Sequence, residues 1–358
     1  MNGFVILILI CGIISCKNEE VNMPTTPYLY SPSVTYDAEQ VGQIFLHPAH
    51  RTGPLALPTE SFSNLPLTIS IPKNAPQPLP VVIYSHGGGA RNTPGQSGTS
   101  WAIALAKAGY AVIAMHHMSR SPEDVKLNIC GPLGVAPGDC DAAVYVPYYE
   151  STDRPQDAIC VMDSLSAISQ AVGYSFDATR ICIFGFSGGT NTTHYLSGGV
   201  RNATYGVSPD TNYFSMPDSR PKGYVAMSSG AGTQGGWTSG SLKGINSPFI
   251  CATGLADLSG EIRAEFYDQM QGDEQYRLYI NSASAEHVTF NHEVTGPDMT
   301  QQEQQVFHTW LEASVIAFLD AYVNDQAEAR EWLRSDNVPA IVNDYLNEST
   351  LFPTWSYR

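Results

Sequence analysis

A serine set between glycines, Gly185-Phe186-Ser187-Gly188-Gly189, matches the pattern G-x-S-x-G. It follows the apolar run Arg180 to Phe184 and precedes small residues able to start a helix. Glycines on both flanks suit a sharp strand-to-helix turn, where side chains would collide with neighbouring backbone. Such a turn presents Ser187 to solvent as a nucleophile. A hydroxyl is a weak nucleophile near neutral pH and needs a base within reach, itself oriented by a carboxylate. Downstream, Gly254-Leu255-Ala256-Asp257 places a carboxylate just past the strand-like run Pro248 to Thr253, with no acidic residue between Gly223 and Leu255. Asp257 is the expected orienting acid; its other reading is a turn or cap residue ahead of a helix over Leu258 to Met270. Glu261 and Asp268 fall inside that helix and suit the role less. Three histidines follow Asp257. His287, in a loop after Tyr276 to Ser282, is the expected general base, with His292 as the alternative and His308 inside a long helix, on the surface or in packing.

A second glycine cluster, Ser85-His86-Gly87-Gly88-Gly89, ends the apolar strand Pro80 to Ser85. Here the backbone can fold close to the nucleophile, so the N–H groups of Gly88 and Gly188 are expected to face one developing oxyanion. A plain glycine-rich turn is the other reading, and His86 is expected to brace the loop. The pair His116-His117 does not suggest a metal, because neighbouring strand residues point to opposite faces, and both are expected to be structural. No Cys/His spacing suggests zinc. The chemistry so far asks for neither a metal nor an organic cofactor.

These residues need a frame that brings distant loops to one rim. Leu65 to Ile71, Pro80 to Ser85, Tyr110 to Met115, Arg180 to Phe184, Lys222 to Met227, Pro248 to Thr253 and Tyr276 to Ser282 read as strands. Helices are expected over Trp101 to Ala108, stopped by Gly109, over Arg154 to Val172, and over Gln301 to Val323. Alternation of this kind predicts an α/β domain with a mostly parallel central sheet flanked by helices, and chemistry at the C-terminal ends of the strands. At 358 residues one large domain accommodates the pattern.

Charge and composition narrow the partners. With 34 acidic against 18 basic side chains and no basic run, nucleic acid is excluded as an expected partner. Phe4 to Ile14 is apolar or small but shorter than the roughly 20 residues that span a bilayer, so residues 1–15 read as an export signal. Ile13-Ile14-Ser15-Cys16 resembles the lipobox of bacterial lipoproteins, although no Lys or Arg precedes it. The resemblance makes Cys16 a lipid anchor and the chain an exported protein held on a bacterial membrane by that anchor alone. Residues 16–42 then form a lipidated N-terminus and flexible tether, 43–335 the domain with a loop insertion at 118–153, and 336–358 a C-terminal extension. In an oxidising compartment Cys130 and Cys140, which flank a turn-rich loop, are expected to form a disulfide. Cys160, Cys182 and Cys251 read as small buried hydrophobes.

Ser187, Asp257 and His287 in that order, with the glycine-rich loop upstream, resemble the α/β-hydrolase fold family. Leu65 to Ile69, Pro80 to Gly87, Arg154-Pro155-Gln156-Asp157 and Gly185 to Gly189 are most similar to the predicted dienelactone hydrolase branch. The platelet-activating-factor acetylhydrolases and bacterial cutinase-like polyester hydrolases lie near that branch, and the resemblance runs from Leu65 to Leu333. It implies hydrolysis of small or polymer-linked esters through an acyl-serine intermediate. Two features depart from the branch: three glycines follow His86 where a bulkier residue is common, and a serine stands where dienelactone hydrolases proper use cysteine. Dienelactone is therefore disfavoured as substrate. Aromatics such as Tyr148 and Trp237 either line an acyl or sugar pocket or pack their loops. Hydrolysis of an amide or thioester, and a silent binding lipoprotein of the same fold, stay open as alternatives.

Overall fold

Eight consecutive buried residues, Leu65–Pro72, can sit only in a strand covered on both faces. A computed structural model of the chain describes residues 29–49, 64–87, 99–117, 136, 154–204, 211–229, 237–238, 240–257, 260–292, 301–335 and 354–358. In chain order the elements begin β1 Ala38–Leu46, β2 Leu65–Pro72, β3 Leu79–Ser85, α1 Thr99–Lys107, β4 Ala111–Met115, α2 Arg154–Asp163 and α3 Leu165–Val172. Next come β5 Phe176–Phe186, a 3₁₀ turn Ser187–Gly189, α4 Thr190–Leu196, β6 Arg201–Thr204, β7 Thr211–Phe214, β8 Pro221–Met227 and β9 Phe249–Gly254. The chain closes with α5 Gly260–Gln269, β10 Gln275–Ile280, a 3₁₀ turn His287–Asn291, α6 Gln301–Tyr322, α7 Ala327–Leu333 and β11 Thr354–Tyr357.

Nine strands form one sheet in the order β1-β2-β4-β3-β5-β8-β9-β10-β11, and β6 and β7 make a separate hairpin. Strands β4, β3, β5, β8, β9 and β10 run parallel, whereas β1, β2 and β11 pair antiparallel. The α/β reading with a mostly parallel sheet is thus what the chain forms. Alternate residues of each strand feed two cores on opposite faces: Val82, Tyr84 and Phe184 pack with α1 and α6, and Val81, Ile83 and Ile183 with α2, α3 and α5.

The structure differs from the sequence reading in three places. The helix expected over Arg154 to Val172 breaks at Ser164, whose N–H is shared between the carbonyls of Cys160 and Val161. Gly173 then ends α3 in the left-handed conformation, φ 75°. The sheet reaches back into the expected tether: β1 starts at Ala38, Leu29 and Tyr30 pack on the core, and Tyr30 donates to Asp320 at 2.7 Å. The expected C-terminal extension supplies β11, which lies against β10. Among the described residues no helix is long and apolar enough to cross a membrane.

Candidate active site

The strand β5 and helix α4 meet at Ser187, which adopts φ 49°, a left-handed conformation costly for a residue with a side chain. The two glycines around it are sterically required. A Cβ on Gly185 would lie 2.4 Å from the carbonyl oxygen of Gly189, and one on Gly189 would lie 1.9 Å from that of Ser85. The turn is therefore wedged against the end of β3, and Ser187 stands at the C-terminal rim of the sheet.

Two further strand ends face it. Asp257 follows β9 in a turn in which its N–H donates to Gly254 O and its carbonyl accepts from Gly260 N. His287 opens the 3₁₀ turn after β10. Ser187 Oγ lies 2.9 Å from His287 Nε2, and His287 Nδ1 lies 2.7 Å from Asp257 Oδ1. Asp257 is buried, and its Oδ2 accepts from Thr253 Oγ1 at 2.8 Å. Burial alone would raise the Asp257 carboxyl, but the His287 hydrogen bond, the Arg263 charge and the Ser228 hydroxyl hold it below its usual range. An ionised carboxylate at Nδ1 keeps the ring proton there and leaves the Nε2 lone pair facing Ser187. This arrangement can take the hydroxyl proton and stabilise the resulting imidazolium.

The loop that carries His287 is held from behind. Trp101 Nε1 donates to Phe290 O at 3.1 Å, Tyr84 donates its hydroxyl to Asn291 Oδ1, and His292, at φ 58°, bonds Glu312 while stacking on His308. His292 therefore braces the loop and does not face Ser187.

The glycine-rich loop approaches Ser187 as expected up to Gly87, where a Cβ would lie 3.0 Å from the Phe186 ring and 3.3 Å from Ser187 Cβ. Arg154 donates to the carbonyls of His86 and Gly87, the latter at 3.1 Å. His86 Nε2 accepts from His117 N at 3.2 Å, so its Nδ1 carries the proton and donates to Gly87 O at 2.8 Å. His86 is a brace. Behind it lies a second array with the same three residue types: Ser85 Oγ is 2.9 Å from His117 Nε2, and His117 Nδ1 is 2.7 Å from Asp157 Oδ2. All three side chains are fully buried. His116 points the other way, to Thr68. Among the described residues no group of three or more His, Cys, Asp or Glu is placed to hold a metal.

Of the other expected site residues, Gly188 lies in the turn, its carbonyl accepting from Asn191 Nδ2 at 3.2 Å. Gly88, Tyr148, Cys16, Cys130 and Cys140 lie outside the described residues. Trp237 is 2% exposed; it donates to Asn191 Oδ1 at 2.8 Å and sets its ring edge-on to His194, so its contacts are those of packing. Cys182 and Cys251 are buried thiols as expected, whereas Cys160 is only partly buried. Sequence reasoning missed Ser228 and Arg263 around Asp257, and Asp157 and Arg154 as braces of the glycine-rich loop, whereas the structural role expected of the His116-His117 pair agrees with their buried hydrogen bonds. Ser228 carried a faint signal, a polar residue directly after the apolar strand β8; Arg263, inside a helix, carried none. In comparisons with known proteins, no family model matches this chain, and no curated protein matches it.

Proposed function

We propose that this protein is a serine hydrolase of the α/β-hydrolase fold that cleaves carboxylic esters through an acyl-serine intermediate. The observation that carries the proposal is the unbroken path from Ser187 Oγ through His287 to Asp257, at 2.9 and 2.7 Å, with the serine on a strained turn at the sheet rim. The order of those corners, after β5, β9 and β10, supports the fold assignment. In the proposed reaction Ser187 Oγ attacks the ester carbonyl carbon as its proton passes to His287 Nε2. Backbone N–H groups at Gly188 and at the glycine-rich loop hold the oxyanion, each typically worth about 3 kcal/mol in the transition state. His287 then protonates the leaving alcohol, and water, deprotonated by the same imidazole, releases the acid. An export signal and a lipid anchor at Cys16 are part of the same proposal and place the substrate outside the cytoplasm.

A fluorophosphonate probe and a p-nitrophenyl ester test this reading together. The probe is expected to label Ser187 in the folded chain, and Ser187→Ala to lose both labelling and turnover. A wild-type chain that neither labels nor turns over a panel of short-chain, long-chain and acetylated-sugar esters overturns it. Parallel assays on an anilide and a thioester separate the ester from other acyl bonds.

A further inference from the structure

Ser228 follows β8 with φ 53°, and both its backbone groups are tied: its N–H donates to Ala252 O at 2.7 Å and its carbonyl accepts from Arg263 Nη1 at 2.6 Å. Glycine would relieve this conformation, so a serine here needs a reason in its side chain. Its Oγ lies 2.9 Å from Asp257 Oδ1 and 2.7 Å from His287 Nδ1. The single hydroxyl hydrogen has one suitable acceptor, since an ionised carboxylate accepts only and the Nδ1 that faces it is protonated. With that hydrogen given to Asp257, the oxygen turns its lone pairs to the Nδ1–H. The reverse arrangement, a hydroxyl donating to a bare Nδ1, would place the ring proton on Nε2 and aim it at Ser187, where it blocks deprotonation.

We infer that Ser228 is a positioning residue for the base: its hydroxyl selects the Nδ1–H form of His287 and offers the imidazolium a second acceptor beside Asp257. The assignment rests on the acyl-transfer reading above. It adds a role for the corner after β8, so that four adjacent strand ends contribute to one array.

Ser228→Gly and Ser228→Ala in the full chain test it. Glycine suits φ 53°, so the glycine variant is expected to melt at or above the wild-type temperature, and the alanine variant below it. Both are expected to lose kcat on p-nitrophenyl butyrate by about tenfold or more, the loss that follows removal of a hydrogen bond to a charged group, with KM little changed. A residue of structural use only would give a glycine variant that is stabler and turns over at the wild-type rate, and that result overturns the assignment. Ser187→Ala and fluorophosphonate labelling of the wild type run alongside. Should those controls fail, the acyl-serine reading itself is wrong; should they succeed while Ser228→Gly keeps full kcat, only the role of Ser228 falls.

Discussion

At the residue scale, Asp257 combines near-complete burial with a depressed pKa. It is a buried anion, costly to desolvate, yet the Arg263 guanidinium and hydroxyls from Thr253 and Ser228 keep it ionised. Asp257→Asn keeps the shape and removes the charge. It is expected to cut kcat by about 10³- to 10⁴-fold, measured by steady-state ester hydrolysis, because the amide no longer fixes the imidazole tautomer. The three residues that meet at the rim were the most legible in the sequence: Ser187 between its glycines, Asp257 as the sole acid at its corner, and His287 in the loop after β10. The partners of Ser228 and His117 were not, because a serine or histidine beside a strand carries no mark of which distant side chain it will meet.

At the element scale the site depends on how closely strand ends approach. The backbone of β3 touches the turn after β5, so Gly189→Ala drives a methyl into the Ser85 carbonyl and is expected to abolish soluble folded protein, read by expression and circular dichroism. Gly173→Ala is the contrast. It meets open space at φ 75° and is expected to cost only about 1 kcal/mol, measured by chemical denaturation. The parallel strands were readable because burial on both faces leaves unbroken apolar runs such as Val81-Val82-Ile83-Tyr84. Edge elements were not. Strand β1 has an irregular half-exposed pattern interrupted between Gln40 and Gln43, and β11 has four residues, too few to display a period. The break at Ser164 was hidden for a related reason: apolar spacing continues across it, while the discontinuity lies in the backbone, φ −98° and ψ 3° at Ser164 with a shared N–H.

At the scale of the whole molecule, buried histidines set the response to acid. Burial holds His116 down to about 4, and burial with the neighbouring His292 charge holds His308 to about 4, partly offset by Glu312. Unfolded histidines take up protons from about pH 6.5 downward, and the folded ones resist, so the unfolded state binds more protons in between. Stability is therefore expected to fall as pH drops from about 6.5 to about 4, by as much as about 3 kcal/mol for each histidine at 1.4 kcal/mol per unit. Below that range the depressed Asp257 loses its own contribution as it protonates. Denaturant midpoints between pH 8 and 3.5 check this slope, which His116→Gln and His308→Gln should each flatten. The inner Ser85, His117 and Asp157 repeat the outer spacing to a tenth of an ångström while fully buried. A reactive phosphonate is expected to mark Ser187 and leave Ser85 unmodified, read by peptide mapping. Exposure, and not interatomic spacing, is what separates the outer array from the inner one in this molecule.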